Sequence, residues 1–89
     1  MRLVKPCVTS PGFTCSPERD MRVDLTRVRD ALLRHGYKVI DAEVLLIAAR
    51  EEEVTIYPSG KLLIKTSKKD IAMRVADEVY AILENEGII

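Results

Sequence analysis

Eighty-nine residues, 47% of them hydrophobic and 31% charged, suit one small globular domain and exclude a disordered chain. Fourteen basic residues balance fourteen acidic ones, which excludes a protein that holds nucleic acid by bulk positive charge alone. The balance is uneven along the chain: residues 1–40 carry eight basic and four acidic side chains, residues 41–89 six and ten. Such polarity suits self-association as well as a ligand.

With one Phe, three Tyr and no Trp, the core must be built from Val, Ile, Leu and Ala. The longest apolar run, Val44 to Ala49, has strand length and falls far short of the ~18 residues of a membrane span. The stretch Met1 to Pro6 has no signal-peptide core. A cytoplasmic protein without a membrane partner is expected.

Residues 2–6 read as a short strand ending at Pro6. Residues 7–22 hold Pro11, Gly12, Pro17 and several Ser and Thr, a composition that predicts a long loop. Asp24 is placed to cap a helix over 25–35, with Leu25, Val28, Ala31, Leu32 and His35 on one face and Gly36 able to end it. From Tyr37 to Arg50 the residues become β-branched and aliphatic, giving two strands at 37–41 and 43–50 or one long bent one.

Glu51 to Glu53 reads as a solvated turn. Val54 to Tyr57 alternates, Pro58-Ser59-Gly60 forms a tight hairpin turn, and Lys61 to Thr66 alternates again. Ser67, with Asp70 three residues on, makes a capping box for a last helix. Ile71, Val75, Ala76, Val79, Ile82 and Leu83 form its apolar stripe and Gly87 closes it. The expected fold is a single α+β domain over 1–89, an antiparallel sheet with two helices packed on one face, in the order β-α-β-β-β-α with room for one more strand.

The segment Ile56-Tyr57-Pro58-Ser59-Gly60-Lys61-Leu62-Leu63-Ile64-Lys65-Thr66, followed by Ser67-Lys68-Lys69 and a helix rich in Ala and Val, resembles a repeat of the TATA-box-binding protein family. Val23-Asp24-Leu25 is similar to that family's entry into its first helix. The resemblance implies a half-saddle whose sheet face, turned away from the helices, binds DNA in the minor groove and wedges aromatic rings between base steps. It places Tyr57 at one wedging position, with Thr55, Lys61, Leu63 and Lys65 on the same face by alternation. The chain departs from the family at three points. Tyr57 stands for a phenylalanine, no aromatic partner lies near Asp41 and Ala42, and one repeat needs a second copy to complete a saddle.

An open sheet face that carries Leu63 and part of strand 43–50 must be solvated, paired or covered. The expected role is therefore a small non-enzymatic binding module that uses this face for homodimerisation or for docking a protein partner. Nucleic-acid binding through the same residues is the alternative.

Cys7 and Cys15 offer a second alternative as a thiol-redox or metal site. A metal usually takes four ligands, and the spacing matches no paired Cys-x-x-Cys signature. His35, in the last turn of its helix, suits the helix dipole more than catalysis. No nucleophile with its base, acid–base pair or phosphate-cradling glycine loop can be named, and no cofactor is expected.

Overall fold

A computed structural model describes residues 4–9, 12–17 and 21–89. Strands β1 (Val4–Thr9) and β2 (Gly12–Pro17) precede helix α1 (Leu25–Arg34). Strands β3 (Lys38–Asp41), β4 (Leu46–Ala49), β5 (Glu53–Ile56) and β6 (Leu62–Lys65) follow as a meander, and helix α2 (Lys69–Asn85) ends the fold. The six strands form one antiparallel sheet in the order β1-β2-β6-β5-β4-β3.

The α+β architecture expected from the sequence is present, with both helices on one face of the sheet. Phe13, Cys15, Leu46, Ala48, Val54, Ile56, Leu62 and Ile64 project from alternate positions of the inner strands into one core. Val28, Ala31 and Leu32 of α1 and Ala72, Val75, Ala76, Val79, Tyr80, Ile82 and Leu83 of α2 meet them there. Burying aliphatic side chains of this size contributes about 1.5–3 kcal/mol each, the main favourable term for so small a chain.

The long loop expected over 7–22 is corrected. Within it, β2 pairs with β1 on one side and with β6 on the other. Proline and serine content suggested a loop, but Phe13 and Cys15 alternate with Thr14 and Ser16, and both face the core. Pro6 lies in β1, the edge strand, where a missing N–H costs no ladder bond on the outer side. Pro17 is the last residue of β2. Gly12 opens β2 where the strand runs so close to β6 that a Cβ would overlap the Ile64 carbonyl.

Asp24 caps α1 as expected, accepting the Thr26 N–H at 2.9 Å. Both helices end on a left-handed glycine. At Gly36 (φ 87°) the Tyr37 N–H donates to the Leu32 carbonyl at 3.0 Å, and at Gly87 (φ 72°) the Ile88 N–H donates to Leu83 at 2.9 Å.

The start of α2 differs from the capping box. Thr66 Oγ1 accepts the Lys68 N–H at 3.2 Å, and that turn carries the chain one residue further, so Lys68 and not Ser67 is the cap position. The strand expected over 43–50 is shorter as well. Residues 42–45 turn instead, with Glu43 at φ 69° and its N–H bound to Asp41 Oδ1 at 2.8 Å.

Candidate functional site

Strict alternation gives the sheet a second face, and register fixes what stands on it. Ile40, Ile47, Thr55, Leu63 and Thr14 are successive register partners across β3, β4, β5, β6 and β2. One step along the strands, Lys38, Ala49, Glu53 and Lys65 form a parallel row. Ile40 is 64% exposed; Ile47 and Leu63 are half-buried and are not among the side chains packed on the core. Thr55, standing between Ile47 and Leu63, is the one buried residue classed as polar or charged among the described residues, at 7% exposure.

The five residues that the sequence singles out therefore share one face. Thr55 and Leu63 are direct register partners. Tyr57 follows the end of β5 and opens the turn: its carbonyl accepts the Gly60 N–H at 2.9 Å and its N–H donates to the Lys61 carbonyl at 3.0 Å. Lys61 Nζ lies 5.5 Å from the centre of the Tyr57 ring, a cation–π contact worth about 0.5–1 kcal/mol where exposed. Lys65 is not a lone cation: its Nζ lies 2.8 Å from Glu53 Oε2.

Two further residues reach this end of the face. The Val23 N–H donates to the Pro58 carbonyl at 2.8 Å, which ties the segment before α1 to the β5–β6 turn. Met21 and Arg22 thereby line a shallow groove of about 400 Å³ with Tyr57, Pro58, Ser59 and Lys61. No spacing in the sequence could have shown this contact, because it joins residues from distant parts of the chain.

The cysteines lie in β1 and β2, where Cys7 pairs with Thr14 and Cys15 with Pro6, so the two are not register partners. Cys15 is a fully buried thiol beneath the sheet. The Cys7 side chain lies outside the described residues. Among the described residues no group of three or more His, Cys, Asp or Glu could hold a metal ion.

His35 is exposed and lies beside Glu86, with Nε2 3.6 Å from Oε2. Glu86 also accepts from Arg34, and Arg27 donates to the Glu86 backbone carbonyl at 3.2 Å. The Arg34 hydrogen bond is the main reason that the Glu86 carboxyl is held below its ordinary pKa.

The charged residues of the β4–β5 connection face α2 around a small pocket of about 60 Å³. Arg50 stacks 5.0 Å over the Tyr37 ring, donates to the His35 carbonyl at 3.3 Å and meets Glu78 at 3.6 Å; Arg74 meets Glu51 at 3.6 Å. Burial pushes the Tyr37 phenol above its ordinary pKa, with Arg50 opposing the shift. Each arginine here has a carboxylate.

Among the described residues no helix is long and apolar enough to cross a membrane. Comparison with protein-family models, with curated proteins and with solved structures finds no match.

Proposed function

We propose that the chain is a non-enzymatic binding module that docks a protein on the open face of its sheet. The observation that carries this reading is the row Ile40, Ile47, Thr55 and Leu63, in register across four strands and covered by no element among the described residues. Apolar side chains set side by side on an open sheet face suit an interaction surface. Charge on the face also favours a protein over a polyanion, because Glu53 already neutralises Lys65.

A second reading, nucleic-acid binding, draws on one specific cluster. Tyr57, Lys61 and Arg22 meet at one end of the face, a ring and two cations of the kind that stack on bases and contact phosphate. The order from β2 onward (strand, helix, four strands, helix) is in keeping with the resemblance to one TATA-box-binding protein repeat.

Photo-crosslinking inside cells tests both readings. A benzophenone side chain at position 47 is expected to give protein adducts, and the same group at Asp77 on the exposed face of α2 none. Nucleic-acid adducts at position 47 would move the assignment to the second reading. No adduct specific to position 47 would overturn both.

A further inference from the structure

We propose that the protein docked on this face is a second copy of the chain, packed face to face about a two-fold axis that runs along β4. The inference rests on the docking reading above and names its partner. In the charged row Ala49 of β4 is flanked in register by Lys38 on β3 and by Glu53 on β5. A two-fold axis parallel to β4 preserves position along the strands and exchanges the two flanks. Lys38 then lies over the partner's Glu53, and Glu53 over the partner's Lys38.

Ile40, Ile47 and Thr55 of the apolar row follow the same operation, while Leu63 on β6 falls beyond the partner's β3. Ile47 packs on the partner's Ile47, and Ile40, the more exposed of the two isoleucines, lies over the partner's Thr55. Ala49 meets its own symmetry mate, and so small a side chain lets the two sheets approach. The contact is isologous, as a closed dimer requires.

Three other axes parallel to the strands are disfavoured by charge. An axis along β5 sets Glu53 against the partner's Glu53, and one along β6 sets Lys65 against the partner's Lys65. An axis midway between β4 and β5 brings Lys38 over the partner's Lys65. Among the described residues Lys38 is exposed and in no ion pair, so its ammonium is open to a carboxylate from a second copy. Glu53, held by Lys65 on one side, is open to a second lysine on the other.

The symmetry makes a sharp test. Sedimentation equilibrium of the full chain is expected to give twice the chain mass. Lys38→Glu alone creates two carboxylate pairs in the dimer and Glu53→Lys alone two ammonium pairs, and each is expected to raise the dimer Kd by roughly tenfold or more. An equimolar mixture of the two variants restores both opposite-charge pairs, so it should form a 1:1 heterodimer about as tight as the wild-type dimer. Both positions are on the surface, and unchanged far-ultraviolet circular dichroism confirms that each variant is folded.

A monomeric wild type at every concentration overturns the proposal, as does a mixture that associates no better than its components. The crosslinking experiment separates this failure from that of the docking reading. An adduct at position 47 with a protein of another mass keeps the surface as an interface and removes the second copy.

Discussion

The Tyr80 hydroxyl on α2 donates to the Gly60 carbonyl in the β5–β6 turn at 2.5 Å, and the Cys15 carbonyl on β2 lies 3.5 Å away. One buried phenol thus pins a helix to the turn that carries Tyr57 and Lys61. Tyr80→Phe leaves the Gly60 carbonyl without this bond. It should lower the unfolding free energy by about 1–3 kcal/mol and increase amide exchange in the 57–61 turn. Denaturant unfolding and hydrogen exchange measure both.

The two faces of the sheet should respond oppositely to substitution. Ile64 is fully buried, so Ile64→Ala should cost about 2–5 kcal/mol. Leu63, its neighbour, is half-buried on the open face, and Leu63→Ser should stay within about 0.5–1 kcal/mol of wild type. Thermal melts of the two variants under conditions that keep the chain monomeric compare them directly.

Gly12 should tolerate no side chain. A Cβ there overlaps the Ile64 carbonyl, so Gly12→Ala must push β2 from β6 at a cost of about 1–3 kcal/mol. Loss of amide protection confined to residues 13–15 and 62–64 would locate the damage at the β2–β6 pairing.

Glu86 gives a pH dependence with a definite sign. Its carboxyl is held below its ordinary value of 4.5 in the folded chain, chiefly by Arg34. The unfolded chain therefore takes up a proton first as pH falls. The stabilisation is fully present above about 4.5, its unfolded value, and is lost as pH drops toward the lowered folded value. Glu86→Gln should show a smaller loss of melting temperature between pH 7 and pH 3 than the wild type shows.

Tyr37 acts at the opposite end of the scale. Burial raises its pKa above 10.0, so its contribution is complete below that value and is lost as pH rises through the raised folded one. Tyr37→Phe should lessen the fall in stability between pH 9 and pH 12, followed by unfolding midpoints across that range.

Much of this fold was legible because local chemistry decides it. Asp24 and Gly36 bracket α1, the Pro58-Ser59-Gly60 turn sets the β5–β6 register, and alternation places Thr55, Leu63 and Lys65 on one face. What was not legible depends on distant partners. Strand β2 lies in a stretch whose prolines and serines favour loops, and only pairing with β1 and β6 overrides them. Tyr80 reads as a helix residue off the main stripe until the Gly60 carbonyl is known to lie against it. Met21 and Arg22 join the candidate site through the Val23–Pro58 bond, and Lys65 loses its free charge to Glu53 across the ladder. Ser67 fails as a cap because Thr66 supplies the turn first.

The strand order also bears on how the chain is made. Strands β3 to β6 form a meander of near neighbours and can assemble as they emerge from the ribosome, whereas β2 must wait for β6, which leaves the exit tunnel some 50 residues later. At about 5–20 residues per second, Phe13 and Cys15 stay uncovered for seconds during each round of synthesis. The seam between β2 and β6, which joins strands about 50 residues apart, is therefore where a nascent chain is most open to chaperones and to aggregation.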